Sequence, residues 1–209
     1  MTAVESQMLA LGTQAPAFTL PDPDGKSHSL AEGADAYLIM FICNHCPFVR
    51  HVREELARLG KDYAARNVAI YAINSNDVDA HPEDGPEHMR QEAKSHGYTF
   101  PYLFDADQSV ARAYRAACTP DFFLFDAGHS LVYRGQLDGS RPSNDTPVDG
   151  RDLRAALDAV LAGQPVSNQQ KPSIGCNIKW KPGNEPEYFS GINRVIAQVR
   201  RTFSNKTRS

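Results

Sequence analysis

Two cysteines lie three positions apart in the stretch Cys43-Asn44-His45-Cys46-Pro47, and this stretch decides the fold. An apolar run, 37–42, precedes it. In the segment that follows, apolar residues recur at the spacing of one helix face: Phe48, Val49, Val52, Leu56, Leu59 and Tyr63. Pro47 suits the first helical turn, because its missing N–H needs no partner there. The sequence therefore predicts a strand, a turn that carries two thiols, and a helix, which together indicate a redox-active dithiol.

The position of the two thiols predicts their roles. The free N–H groups and the positive end of the dipole at a helix start favour a thiolate, which is the reactive species. The first cysteine of such a turn is the more exposed, so we expect Cys43 to attack a disulfide and Cys46 to resolve the mixed disulfide. We also expect the pKa of Cys43 to be lowered. A protonated His45 acts in the same direction unless it is an exposed residue without a partner, and Asn44 is the other supporting residue of the turn.

Two other interpretations of the cysteines stay open. A CxxC pair can supply half of a zinc site, which Cys118 and Cys176 would complete, or the thiols can simply pack in the core. Structural zinc sites usually bring a second close-spaced pair, whereas the two remaining cysteines are far apart in the sequence. We therefore expect neither a metal nor a cofactor, and keep a redox sensor or a zinc-binding adaptor as the alternative outside enzymes.

Composition narrows the class of protein. A chain of 209 residues with 41% apolar content can form one compact domain, and a net charge of −3 gives no case for nucleic acid as a partner. Residues 1–14 lack a basic region followed by a long apolar stretch, and no apolar run is long enough to span a bilayer. We expect no membrane association and a cytoplasmic location. In that reducing compartment a CxxC pair is more often catalytic than structural.

Strand-like and helix-like segments alternate along the chain. A hairpin is predicted over 18–30, and further strands over 37–42, 68–74, 122–125 and 131–133. Helices are predicted after Pro47, from about Pro86 to His96, and over 108–116 and 151–161. This order of elements predicts an α/β fold.

Several motifs resemble one known family. The opening segment is similar to that of the redoxin branch of the thioredoxin-fold superfamily, which includes the peroxiredoxins (AhpC/TSA) and the TlpA/ResA-like thiol–disulfide oxidoreductases; it reads Leu11-Gly12-Thr13-Gln14-Ala15-Pro16-Ala17-Phe18-Thr19-Leu20. Segments 41–49, 119–125 and 133–142 are similar to its peroxiredoxin-like subgroup. The resemblance, which covers roughly residues 11–181, implies a thioredoxin-like domain with a central mixed β-sheet flanked by helices and an N-terminal β-hairpin. We assign this domain to 11–163 and a C-terminal helical extension to 164–209.

The same resemblance implies further residues of the site. Pro120 is expected as a cis-proline beside the dithiol, where the backbone of Thr119 can pair with a substrate strand. The expected partners are a protein disulfide and a thiol reductant. A weak thiol peroxidase is the alternative enzyme. It is disfavoured because Ala36 and Met40 occupy the proline and threonine positions of the peroxiredoxin PxxxTxxC motif, and because no arginine lies just before Pro120.

Two cysteines and the C-terminal segment are harder to interpret. Cys118 lies two positions before Pro120 and Cys176 in a short apolar island, so each is either a buried thiol or an additional redox thiol. Beyond them, apolar residues form a helical stripe: Tyr188, Phe189, Ile192, Val195, Ile196, Val199 and Phe203. This predicted amphipathic helix either docks on its own domain or forms a homodimer contact or a partner-binding surface.

Overall fold

The computed structural model describes residues 3–189 and confirms the α/β class. In chain order the elements are β1 (Ala3–Glu5), β2 (Thr19–Pro21), β3 (Ser27–Ser29), β4 (Ala36–Phe41), α1 (Pro47–Tyr63), β5 (Val68–Asn74), a 3₁₀ turn (Pro82–Asp84), α2 (Pro86–His96), β6 (Tyr102–Phe104), α3 (Ser109–Ala113), β7 (Cys118–Thr119), β8 (Asp121–Asp126), β9 (Leu131–Gly135), α4 (Arg151–Leu161) and β10 (Ile174–Asn177). The predicted N-terminal hairpin is formed by β2 and β3.

A five-stranded mixed sheet, in the order β6-β5-β4-β8-β9, forms the centre of the fold. Strand β4 is parallel to β5 and antiparallel to β8. All six residues of β4 are buried, as expected for a strand that is covered on both faces. The sheet therefore agrees with the thioredoxin-like fold that the resemblance implies.

Alternate side chains of β4 enter two separate cores. Leu38 and Met40 belong to the core that includes the apolar face of α1, residues of α4 and both cysteines of the turn. Ile39 and Phe41 belong to the core on the opposite face, which contains Tyr114 and, from β8, Phe123 and Phe125. The dithiol thus lies at the edge of a packed core.

Helix α3 is shorter than predicted. The sequence pattern covers 108–116, but the helix contains only Ser109–Ala113. Gln108 and Arg115 have φ angles of 63° and 52°, in the left-handed region, and therefore interrupt the right-handed helix at both ends. By contrast, α2 ends as predicted, with Gly97 in the left-handed conformation.

A second, three-stranded sheet in the order β1-β10-β7 was not predicted. Strand β10 comes from the segment assigned to the C-terminal extension, and it pairs with β1 on one side and β7 on the other, antiparallel to both. The domain boundary at 163/164 stays a prediction, but residues of the extension reach the strand that precedes Pro120.

The predicted C-terminal helix lies almost wholly outside the described residues. Tyr188 is within them, and its hydroxyl donates hydrogen bonds to the carbonyl oxygens of Ala116, at 3.1 Å, and Ala111, at 3.4 Å. The guanidinium of Arg115 lies over its ring. The start of this segment therefore packs on its own domain. Among residues 3–189 no helix is both long enough and apolar enough to cross a membrane.

Candidate functional site

The dithiol turn lies at the edge of the sheet where the carboxyl ends of β4 and β5 meet. Both strands run in the same direction, so the segments that follow them come together. Cys43 follows β4 after one residue, and Cys46 is the residue immediately before the first turn of α1, which begins at Pro47 as predicted. The turn after β4 therefore faces the segment after β5.

Thr119 brings the two thiols together with Pro120. Its hydroxyl oxygen lies 3.3 Å from Sγ of Cys43, and its carbonyl oxygen accepts a hydrogen bond from the thiol of Cys46 at 3.2 Å. The Thr119-Pro120 peptide bond is cis, as the resemblance implies. The edge of β7 that was expected to receive a substrate strand is taken by the chain's own β10, where Cys176 lies opposite Thr119.

Both thiols of the turn are buried. Cys43 is 1% exposed and Cys46 is 0% exposed. The prediction that Cys43 is the more exposed is therefore wrong for this conformation, because the side chains of the turn, β7 and β10 pack together. Another molecule reaches either sulfur only when this packing opens.

The ionisation of the pair also differs from the prediction. Burial raises the pKa of the Cys43 thiol well above its ordinary value, and the adjacent Cys46 sulfur and the Asp84 carboxylate raise it further. Hydrogen bonds from Cys176 and Cys43 hold the pKa of Cys46 well below its ordinary value, although burial opposes them. Of the two thiols, Cys46 is therefore the one that ionises more easily in this conformation.

Asp84, a residue that the sequence analysis missed, holds the turn in place. One carboxylate oxygen accepts hydrogen bonds from the backbone N–H groups of Asn44 and His45, at 2.8 and 3.2 Å. The other accepts from Nδ1 of His45 at 2.6 Å and from the side-chain amide of Asn76 at 2.8 Å. Burial alone would raise the pKa of Asp84, but the hydrogen bonds from His45 and Asn76 outweigh it and keep the carboxyl ionised.

His45 is paired rather than free. Besides its contact with Asp84, its ring stacks on that of His81 at a centroid distance of 4.8 Å. The hydrogen bond to Asp84 raises the pKa of His45. Because the positive charge of a protonated His45 is then balanced by Asp84, it does not lower the pKa of Cys43 as predicted.

Asn44 is fixed from two sides. Its side-chain oxygen accepts a hydrogen bond from the Tyr102 hydroxyl at 2.9 Å, and its amide donates to the Glu83 carbonyl oxygen at 3.0 Å. Tyr102 and Glu83, like Asp84, were not assigned to the site from the sequence. The available signal was topological, since Glu83 and Asp84 follow β5, the parallel neighbour of the strand that leads into the dithiol.

Cys118 and Cys176 have different surroundings. Adjacent residues of a strand point to opposite faces, and Thr119 points towards Cys43, so the Cys118 side chain lies on the other face. Its thiol donates to the Pro120 carbonyl oxygen at 3.5 Å, and burial raises its pKa. Cys176 faces the dithiol and hydrogen bonds to Cys46. Of the two, only Cys176 joins the site.

One group of side chains near the turn can offer ligands to a metal ion. A ligand atom from each of Cys43, His45 and Asp84 lies within 4.8 Å of the other two. The carboxylate of Asp84 already accepts four hydrogen bonds, which accounts for its position in the turn without an ion.

The His45–Asp84 pair is expected to contribute to the free energy of unfolding. We expect His45→Gln to lower the free energy of unfolding by about 1.5–3 kcal/mol, the usual range for a hydrogen bond between charged groups. Because the folded pKa of His45 is raised, this contribution is complete below its ordinary value of 6.5 and is lost as the pH rises through the folded pKa. Urea unfolding of both proteins below pH 6.5 and at alkaline pH measures the difference.

The control for this prediction is His88→Gln, which removes an exposed histidine from α2. It is expected to change stability little at either pH. A loss in His45→Gln that is equally large at acidic and alkaline pH would contradict the role of the charged pair.

Solved structures and one curated protein are similar to this chain. An uncharacterized conserved protein from Geobacillus kaustophilus is 57% identical, covers 88% of this chain and 98% of its own, and has a TM-score of 0.86. A hypothetical protein from Sinorhizobium meliloti 1021 is 54% identical, with coverage of 86% and 99% and a TM-score of 0.85. The thiol-disulfide oxidoreductase ResA from Geobacillus thermodenitrificans (strain NG80-2) is 29% identical over 126 residues, which are 58% of this chain and 67% of ResA.

A more distant structure agrees in fold. A putative thiol:disulfide interchange protein DsbE from Chlorobium tepidum is 22% identical and has a TM-score of 0.58, over 73% of this chain and 99% of its own. The model of the AhpC/TSA family matches residues 11–134, more than half of the chain. That stretch contains the dithiol turn, the cis-proline, four strands of the central sheet and all but the last residue of the fifth, and the chain belongs to the AhpC/TSA family.

Proposed function

We propose that this protein catalyses thiol–disulfide exchange on protein disulfides, with Cys43 as the nucleophile and Cys46 as the resolving thiol. The observation that carries the proposal is the contact between these two thiols at the start of α1, beside Thr119. Membership of the AhpC/TSA family and the similarity to ResA, a thiol-disulfide oxidoreductase by name, support an oxidoreductase of this type.

The order of the two cysteines follows from what surrounds each sulfur. Cys46 is enclosed by Cys43, the Thr119 carbonyl oxygen and Cys176. Cys43 contacts Cys46 and the Thr119 hydroxyl, and it is the first cysteine of the turn. The first attack is therefore assigned to Cys43 on its position in the turn and not on its pKa.

The reaction begins with a proton transfer. When Cys46 is ionised, Cys43 donates a hydrogen bond to its thiolate, and movement of the proton along this bond leaves the thiolate on Cys43. Cys43 then attacks one sulfur of the substrate disulfide. A bond forms between Cys43 and that sulfur, the substrate disulfide breaks, and the second substrate sulfur leaves as a thiolate that takes a proton from water.

The second step releases the substrate. The hydrogen bond from Cys176 stabilises the Cys46 anion, so Cys46 readily gives the proton that it received to water. Its thiolate attacks Sγ of Cys43, forming the Cys43–Cys46 disulfide and expelling the reduced substrate. The protein is now oxidised by two electrons, and a thiol reductant returns it to the dithiol.

Reduction of insulin disulfides by dithiothreitol tests this function. The full-length protein is expected to accelerate the reaction above the uncatalysed rate, and Cys43→Ser/Cys46→Ser is expected to abolish the acceleration. The matched control Cys118→Ser keeps the activity, because Cys118 faces away from the dithiol. If wild type and double variant react at the same rate, the proposed function is wrong.

A peroxidase is the second candidate, and one contact favours it. Met40 cannot donate the hydrogen bond that the family's threonine gives to a peroxide, but the Thr119 hydroxyl lies 3.3 Å from Cys43 and is a replacement from another element. Among residues 3–189 no arginine takes the place of the family's arginine. Arg134 donates to the Leu9 carbonyl oxygen and the Gln170 side chain, and Arg115 lies over Tyr188.

We therefore predict that hydrogen peroxide oxidises Cys43 slowly. Burial raises the pKa of Cys43, so little thiolate is present, and no arginine among residues 3–189 hydrogen bonds to its sulfur. Loss of one charge-assisted contact of about 1.5–3 kcal/mol corresponds to roughly one to two powers of ten in rate. Stopped-flow oxidation of Cys46→Ser, with Cys43→Ser/Cys46→Ser as the blank, measures it. A rate typical of dedicated peroxiredoxins would contradict the prediction and favour the peroxidase.

A redox sensor or zinc-binding adaptor is the third candidate, and the cluster of Cys43, His45 and Asp84 is the observation behind it. The metal content of the purified full-length protein decides the question. One zinc ion per chain that is lost in Cys43→Ser would favour the adaptor, whereas sub-stoichiometric zinc that does not change in this variant would favour exchange.

The proposed function also includes a cellular location and partners. We infer a cytoplasmic location, a thiol reductant as electron donor and no nucleic-acid partner, consistent with the net charge of −3. A homodimer through the C-terminal helix concerns residues beyond 189, and sedimentation of the full chain tests it.

A further inference from the structure

Strand β10 places a third cysteine against the dithiol. It pairs with β7 so that Cys176 lies opposite Thr119 and Asn177 lies opposite Cys118. A Cβ atom at Gly175 would come within 2.1 Å of the Thr119 carbonyl oxygen. Only glycine permits this close approach, which brings the backbone of β10 onto the residue that holds both thiols.

The register directs the Cys176 side chain at Cys46. Residues directly opposite one another in an antiparallel pair point to the same face, so Cys176 shares the face of Thr119, whose hydroxyl contacts Cys43. The Cys176 thiol hydrogen bonds to Cys46 and is 2% exposed. Cys118 occupies the opposite face and bonds to carbonyl oxygens.

The electrostatic state of Cys176 depends on the oxidation state of Cys46. In the reduced protein the hydrogen bond to Cys46 raises the pKa of Cys176, with burial and the charge of Cys46 as further causes. When Cys46 enters a disulfide, its negative charge is gone. The Cys176 thiol then ionises more easily and faces a sulfur that it can attack.

We propose that Cys176 is a third redox thiol, which exchanges with the Cys43–Cys46 disulfide to give a Cys46–Cys176 disulfide; this inference rests on the proposed function. The Cys176 thiolate attacks Sγ of Cys46, a bond forms between these sulfurs, and the bond between Cys46 and Cys43 breaks. Cys43 leaves as a thiolate and takes up the proton that Cys176 lost. No electrons are gained or lost, so the exchange needs no further oxidant.

The exchange moves the disulfide away from the thiol that attacks substrate. Cys43 becomes a free thiol while the protein remains oxidised by two electrons. An oxidised molecule can then still attack a substrate disulfide through Cys43 and form a mixed disulfide with it. Strand β10, which pairs with β7, thereby supplies Cys176 as the exchange partner of Cys46 within the same chain.

Thiol counting in full-length Cys43→Ser tests the inference. This variant holds three thiols, since the chain has four cysteines. Oxidation of the folded variant with diamide, followed by titration after denaturation, is expected to leave one thiol, that of Cys118. Non-reducing peptide mapping is expected to find Cys46 joined to Cys176. Cys43→Ala is expected to give the same result should the serine variant fold poorly.

Two matched variants complete the test. Cys43→Ser/Cys118→Ser is expected to lose both of its thiols on oxidation, whereas Cys43→Ser/Cys176→Ser is expected to form no intramolecular disulfide. Three remaining thiols in the folded Cys43→Ser protein, or a disulfide that includes Cys118, would overturn the inference. These outcomes do not depend on insulin reduction by the wild type, so failure of the proposed function is recognised separately.

Discussion

Replacing Cys43 by serine is expected to reduce insulin reduction to the uncatalysed rate. The serine hydroxyl has nearly the same size and can keep the contact with Thr119, so the fold is retained. It cannot form the mixed disulfide, because a hydroxyl is not ionised near neutral pH and forms no bond of this kind to sulfur. The loss of activity is therefore chemical, and insulin reduction with dithiothreitol measures it.

The control separates the nucleophile from its neighbours. Cys118→Ser is expected to stay active, because its side chain lies on the face of β7 away from the dithiol. Since Cys46 is the thiol of the pair that ionises more easily, a Cys43→Ser protein that remains fully active would identify Cys46 as the attacking thiol. The assigned order of the two cysteines would then be wrong.

Asp84→Ala is expected to lower the free energy of unfolding by about 3–5 kcal/mol, the cost of breaking a buried charged pair from one side. The substitution leaves two backbone N–H groups of the turn and the His45 ring without their acceptor. It also removes a negative charge that raises the pKa of Cys43. The variant is therefore less stable, while its Cys43 thiol ionises at a lower pH.

Urea unfolding and iodoacetamide labelling against pH measure the two effects of Asp84→Ala. The matched control is Glu83→Ala, which removes the neighbouring, half-exposed carboxylate and is expected to cost no more than about 0.5 kcal/mol, as for most surface substitutions. Equal stability losses in the two variants would show that Asp84 does not hold the turn.

The main elements of the fold could be predicted from local patterns. The apolar run over 68–74 coincides with β5. Helix α2 begins at Pro86 and is capped at its C-terminal end by Gly97. Each of these signals lies within one continuous segment of the chain, so it can be recognised without knowing which distant segments pack together. The dithiol turn is of the same kind, because its strand, its cysteines and Pro47 are contiguous.

What could not be predicted depends on pairing between distant segments. Strands β7 and β10 have two and four residues, too few to show a strand pattern, and their register is set by Gly175 against Thr119. The role of Asp84 depends on the parallel arrangement of β4 and β5. The lowered pKa of Cys46 was not predicted for the same reason, since a hydrogen bond from Cys176 is its main cause.

In the proposed reaction Cys43 attacks the substrate disulfide and Cys46 resolves the mixed disulfide that results. The most direct measurement uses Cys46→Ser, which can take the first step but lacks the thiol that completes the second. The variant is incubated with intact, disulfide-bonded insulin and then mapped without reduction. It is expected to accumulate a mixed disulfide on Cys43, with Cys118 unmodified. An adduct on another cysteine, or no adduct while the wild type reduces insulin, would contradict the account.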